Sequence, residues 1–181
     1  MTLAIKSAEN LGFKNNGNND LVHIICLGNS PIPVSCVESW KKYLENKTVC
    51  LWTEQSLDMS HPWVQQSINE KNYKFAEDYL KLWCMYFYGG IYINKNVELT
   101  QSVQTVSDFF VIDQNKVSLD FIFGATKKSD MIASMAVYYN DLILDPEIDF
   151  TQSVILTNLF KENNWNLEDS EFKGFTLYSI E

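Results

Sequence analysis

Between Tyr73 and Tyr88 the large apolar residues Phe75, Tyr79, Leu82, Trp83, Tyr86 and Phe87 recur at steps of three and four, the spacing of a helix with one face against a core. Gly89 and Gly90 interrupt the pattern, and glycine supplies a backbone that ends a helix without steric penalty. Ile91, Tyr92 and Ile93 then favour a pleated strand. On the helix, Asp78 and Lys81 share a face. If the extended segment runs on to Leu99, then Asn94, Asn96 and Glu98 share a face of it. The two polar sets are expected to meet where the strand ends.

The rest of the chain alternates in the same way. Leu21–Leu27 is a continuous apolar run suited to a strand buried on both faces, preceded by turn residues at Asn15–Asp20. Ser35 and Glu38 have capping-box spacing for a helix over Cys36–Leu44, and Thr48–Trp52 reads as the second strand. A short helix is expected over Trp63–Asn69, a helical turn over Ser102–Val106, and strands at Phe109–Ile112 and Phe121–Ala125. Ser129 or Asp130 caps a helix from Met131 towards Leu144, which Pro146 ends. A further helix covers Thr151–Asn163, and a Leu-Tyr strand follows at Leu177–Tyr178. Strand, helix, strand with short connections is the mark of a parallel sheet with right-handed crossovers. The expected fold class is α/β, in one domain over residues 1–181.

Composition narrows the function. A formal charge of −9 argues against nucleic acid as a partner, since phosphate-backbone binding depends on a basic patch. All 14 basic residues are lysines. Cys26, Cys36, Cys50 and Cys84 lie in apolar segments without metal-ligand spacing, so reduced core thiols are expected. With no signal-peptide pattern at Met1–Gly12 and no apolar run long enough for a transmembrane helix, a cytoplasmic location is expected. His23 reads as a histidine satisfied by backbone in a core strand rather than a catalytic base, and His61 as a loop residue.

Glu77, Asp78 and Lys81, followed by Gly89, Gly90, Tyr92, Asn94, Asn96 and Glu98, resemble the pattern Ser-Asp-x-x-Arg then Gly-Gly-x-Tyr-x-Asp-x-Asp-x-Glu. That pattern belongs to glycosyltransferases with a sugar-binding DxD region, a group that includes capsular polysaccharide transferases, yeast-type mannosyltransferases and, remotely, the clostridial glucosylating toxins. His23, Gly28, Ser39 with Trp40, and Leu51 with Trp52 extend the resemblance; Cys26 stands where the family has a base-stacking tryptophan. The resemblance implies a GT-A-type Rossmann-like domain with a mainly parallel sheet flanked by helices. It also implies transfer from a nucleotide-sugar donor to a glycan or lipid-linked acceptor with retention of configuration. Donor contacts are implied at Asp78, Lys81, Gly89, Gly90 and Tyr92, and the position of a Mn²⁺ or Mg²⁺ ion at Asn94, Asn96 and Glu98. Family members continue past the Leu-Tyr strand with a segment bearing a histidine and a Ser-Trp pair, so the domain is expected to be short at its C-terminal end. A homo- or hetero-oligomer supplying that segment is one consequence.

Here both aspartates of the metal pair are asparagines and the arginine is a lysine. An amide oxygen coordinates a hard dication without charge, and lysine lacks the two-pronged hydrogen bonding of arginine. Two alternatives follow. Lys95, between the asparagines, can offset diphosphate charge without metal, although an unbroken strand would point it away from their face. The domain can instead be catalytically silent, binding sugar, nucleotide or a partner. Glu77, Asp78 and Lys81 also fit a plain solvated charged helix face.

Overall fold

The Leu21–Leu27 run forms strand β1 (Leu21–Ile25), and Thr48–Trp52 forms β2; each is buried at all five positions because helices cover both faces of the sheet. The computed structural model describes residues 1–14, 20–103, 108–144, 151–164, 166, 171–172 and 175–180. Helix α1 is Thr2–Asn10, α2 is Val34–Tyr43, α3 is Pro62–Asn69 and α4 is Tyr73–Tyr88. After β3 (Gly90–Ile93) come β4 (Phe109–Asp113), β5 (Lys116–Ser118) and β6 (Ile122–Ala125). Helix α5 (Asp130–Val137), a 3₁₀ turn (Tyr138–Asn140), α6 (Gln152–Glu162), β7 (Glu171–Phe172) and β8 (Phe175–Ile180) complete the order.

The sheet runs β2-β1-β3-β6-β4-β8-β7, with β5 paired to β4. Strands β2, β1 and β3 are parallel neighbours, as are β4 and β8; β6 is antiparallel between β3 and β4. Strand alternation sorts the apolar residues into two cores. Ile25, Cys50, Trp52 and Tyr92 join Ala76, Leu80 and Cys84 of α4 with Ile132 and Phe160 beyond. Val22, Ile24, Val49, Leu51, Ile91 and Ile93 pack against Ala8 and Trp40 on the opposite face. Burying each such large side chain is worth about 1.5–3 kcal/mol.

Gly89 and Gly90 set the exit from α4. Gly89 has φ 65° and ψ −177°, which is the extended mirror region open to glycine rather than the left-handed helical cap that the sequence suggests. A Cβ at Gly90 would lie 2.5 Å from the Leu21 carbonyl oxygen, and one at Gly89 2.6 Å from the Lys127 amide nitrogen. The double glycine therefore lets β3 start flush against β1.

Several boundaries differ from the expectation. Helix α2 starts at Val34 behind Pro33, whose fixed φ presets helix entry, so Ser35 lies inside the helix and caps nothing through its side chain. Helix α5, capped by Ser129 Oγ accepting from the Ile132 N–H, stops at Val137 and tightens into the 3₁₀ turn before reaching Leu144. Helix α1 was not foreseen; its only signal is Ala4 and Ala8, four apart and both buried. Residues 15–19 of the expected first turn, 104–107 of the expected helical turn, and Pro146 lie outside the described residues. All four cysteines are free. Among the described residues no helix is long and apolar enough to cross a membrane.

Candidate functional site

Three charged residues of α4 face inward. Glu77, Asp78 and Lys81 are 9%, 2% and 1% exposed, so the solvated-face reading of this stretch is wrong: the helix turns its charged stripe to the end of the sheet. Asn94 donates its N–H to the Phe121 carbonyl at 2.8 Å, which draws the 119–121 loop beside the end of β3 and over Lys81. The Lys81 ammonium lies 2.8 Å from Asp78 Oδ1 and 3.5 Å from Asp120 Oδ1, and donates to the Leu119 carbonyl at 3.0 Å. An ammonium has three protons, and three acceptors surround this one.

Two lysines, Lys81 and the exposed Lys74 at 3.7 Å from Asp120, face the carboxylates of Asp78 and Asp120. Burial pushes the Asp78 carboxyl above its ordinary range against the pull of Lys81. Burial likewise raises Glu77, against the hydrogen bond that the Tyr92 hydroxyl donates to its Oε1 at 2.5 Å. Asp78 Oδ2 has no hydrogen-bond partner among the described residues, nor has Oε1 of the fully buried Gln152. The Gln152 amide donates to the Asp78 carbonyl and to the Tyr139 hydroxyl. An unfilled acceptor on a buried carboxylate is costly and therefore uncommon in a purely structural network.

Strand β3 ends at Ile93, and this changes the geometry of the next five residues. The chain turns, with Val97 N–H on the Asn94 carbonyl at 2.9 Å and Asn96 N–H on Asn94 Oδ1 at 3.0 Å. Strand alternation thus no longer places Asn94, Asn96 and Glu98 on one face. The segment then docks on α2, where Trp40 Nε1–H donates to the Val97 carbonyl and Leu99 N–H to Ser39 Oγ. Glu98 is carried in that direction, and its charge acts on the Cys36 thiol. Lys95 occupies the corner of the turn, half-buried, with its charge acting on Glu77 and on Cys26.

Beside the carboxyl ends of β1 and β2 lies a cavity of about 810 Å³ whose wall includes Cys26, Ser30, Glu38, Lys41, Thr53 and Glu54. In an open α/β sheet this edge is where ligands bind. Cys26 links the cavity to the charged cluster: its thiol is raised by burial and further by Glu77 and Glu54, and lowered by Lys95. Strands β1 and β3 pair in parallel with Val22 beside Ile91 and His23 beside Tyr92, so Cys26 and Lys95 follow the ends of neighbouring strands at one edge of the sheet, and Glu77 joins this region through the Tyr92 hydroxyl.

The remaining candidates lie elsewhere. Gly89 and Gly90 sit at the opposite end of β3, where backbone packing requires them, and not beside the Asn94 turn. Tyr92 is fully buried with its hydroxyl spent on Glu77. His23 donates from Nε2 to the Gly89 carbonyl at 2.8 Å and accepts at Nδ1 from Trp52 Nε1–H at 3.0 Å; burial lowers it to about 4, a neutral structural imidazole. His61 stacks on Tyr79 at 4.0 Å. Asp120 and Gln152 escaped the sequence reading. Asp120 had a faint signal as a lone carboxylate ahead of an apolar strand, whereas Gln152 had none.

As a donor set for a dication the Asn94–Glu98 segment is poor. It offers two neutral carboxamides, one of them already engaged, and one carboxylate leading away. Among the described residues no group of three or more His, Cys, Asp or Glu side chains is placed to hold a metal ion. Hard dications require several charged oxygens.

Residues 33–117 match a family described as a glycosyltransferase sugar-binding region containing a DXD motif. No curated protein matches the chain in sequence. Among solved structures the fold is similar to the PaToxG glycosyltransferase, with a TM-score of 0.61 at 16% identity over 89% of this chain and 78% of that one. That likeness is one of fold, of the GT-A type.

Proposed function

We propose, for a chain that carries a glycosyltransferase-family sugar-binding region over residues 33–117, that it binds a nucleotide-sugar donor along the carboxyl edge of β1, β2 and β3 and transfers the sugar. The observation that carries this reading is the set of groups along that edge. A cavity of about 810 Å³ suits a nucleoside, Lys95 leaves β3 at the edge where Cys26 of the cavity wall leaves β1, and on α4 the buried Asp78 keeps an unfilled acceptor at Oδ2. A sugar hydroxyl is the kind of donor which that oxygen lacks, and reaching it requires the enclosing 119–121 loop to yield. In the transfer, the bond from the anomeric carbon to the phosphate oxygen breaks and one to the acceptor hydroxyl oxygen forms. The hydroxyl proton leaves with the departing diphosphate, so the step balances without a protein base. Acceptors of this class are glycans or lipid-linked sugars.

A second reading, a silent domain that binds the donor without turnover, is favoured by one feature: the Lys81 ammonium is already surrounded by protein acceptors. Thermal stability measured against nucleotide sugars and their free nucleotides tests donor binding. At one hundred times the dissociation constant the gain is about 2.7 kcal/mol, or roughly 2–4 °C per kcal/mol at this chain length. The expected result is a larger shift with one nucleotide sugar than with its nucleotide, an excess that Asp78→Asn removes. No shift with any donor overturns the reading, and a shift without donor hydrolysis or transfer selects the silent domain.

A further inference from the structure

The donor site that the family builds around a dication has lost the means to hold one in this chain, and the replacement is visible in the same turn. Asn94 Oδ1 is occupied by the Asn96 N–H, and Glu98 is drawn towards α2 with the segment that Trp40 and Ser39 anchor. The same turn that disperses those oxygens frees Lys95 from the strand. At the corner, its side chain is no longer bound to point away from its neighbours' face. Because β1 and β3 run parallel with His23 beside Tyr92, Lys95 leaves β3 at the edge where Cys26 of the cavity wall leaves β1, and its charge acts on Cys26 and on Glu77, which accepts from the Tyr92 hydroxyl. Among the described residues it makes neither a salt bridge nor a hydrogen bond. The other lysines are differently placed: Lys81 is enclosed by Asp78, Leu119 and Asp120, and Lys41 is on the far cavity wall, 6.0 Å from the Phe13 ring centroid.

We infer that the donor's diphosphate is held without a divalent cation, with the Lys95 ammonium as its counter-charge between the nucleoside cavity and the α4 carboxylates. The inference rests on the donor-binding reading above and deepens it. Glu54 and Glu77 flank the same place, so a bare dianion is unwelcome there and a fixed cation is required. A single lysine offsets one charge where a dication offsets two, so binding is weaker than at a metal-loaded site and falls steeply with salt.

The test is calorimetric titration of the protein with UDP, GDP and inorganic pyrophosphate, in EDTA and in Mn²⁺ or Mg²⁺, for the wild type, Lys95→Gln and Lys95→Arg. Binding of a nucleoside diphosphate is expected in EDTA, unchanged by metal. Lys95→Gln is expected to weaken it about ten- to a hundredfold, the scale of a charge-assisted hydrogen bond, while Lys95→Arg retains most of it. Binding only in the presence of metal overturns this inference and leaves the donor site standing. Metal-free binding that Lys95→Gln does not weaken removes Lys95 from the role. Absence of binding by every probe, with and without metal, overturns the donor site itself.

Discussion

Two buried polar networks lie under α4, and they differ in one respect. Towards its C-terminal end, His23 gives its one proton to Gly89 and receives one from Trp52, so each ring nitrogen is matched. Towards its N-terminal end, Lys81 is surrounded by acceptors, yet Asp78 Oδ2 has no hydrogen-bond partner among the described residues. A closed network specifies structure, and its desolvation cost is offset internally. An open one carries a desolvation cost that its own partners do not offset. The sequence pattern anticipates the first network, since His23 reads as a satisfied core histidine, but not the second, since the charged helix stripe also fits ordinary surface.

Replacing Lys81 by Met is the sharpest way to probe the contrast. It leaves Asp78 as a buried carboxylate without its counter-charge and strips the Leu119 carbonyl, and the expected loss is about 3–5 kcal/mol in urea unfolding. Lys74, exposed and 3.7 Å from Asp120, is the control, with Lys74→Met expected within about 0.5 kcal/mol of wild type. Equal, small losses would mean that the α4 cluster is hydrated and would erase the difference between the networks.

The His23 network is expected to show itself through pH. The folded state holds His23 at about 4, below its ordinary 6.5, so between those values the unfolded chain binds more protons and stability falls as pH falls. The full effect is roughly 3 kcal/mol, present above pH 6.5 and lost by about pH 4. Glu77 and Asp78, raised by burial, act in the opposite sense, so the measurement is the difference in unfolding free energy between wild type and His23→Gln across that range. A difference that does not vary with pH would show a hydrated imidazole.

Tyr92→Phe is next in size. It removes the hydroxyl that holds the Glu77 carboxyl down, with an expected loss of about 1.5–3 kcal/mol and a further rise of the Glu77 pKa, readable by carboxyl NMR titration. Smallest is Ser39→Ala, expected to cost about 1 kcal/mol by releasing the Leu99 N–H. It is also expected to speed amide exchange from residue 97 to 99. Unchanged exchange there would mean that Trp40 alone anchors the segment.

Much of the architecture was legible without coordinates. Leu21–Ile25, Thr48–Trp52 and the helix ending at Gly89 are continuous or periodic apolar patterns, and local burial demand makes such patterns readable. The short strands β5 and β7 carried too few residues to register. The site was legible as a list and not as an arrangement. Asp78 and Lys81 were found by their spacing, but Asp120, Tyr139 and Gln152 reach the cluster from other elements at long sequence separation. The shared face assumed for Asn94, Asn96 and Glu98 failed because alternation holds only while the strand continues, and it ends at Ile93.

Sequence alone determined the longer elements of the sheet and its central helix, because periodicity, glycine stereochemistry and proline act within a few residues; it did not reveal α1, β5 or β7. It also determined that asparagines occupy positions 94 and 96, which the resemblance aligns with the aspartates of the family's motif. Only the tertiary structure decided what the charges mean. Burial and partner count depend on which distant segments are packed together, and packing the 119–121 loop over α4 encloses Lys81, while the turn after β3 leaves Lys95 without an ion-pair partner among the described residues.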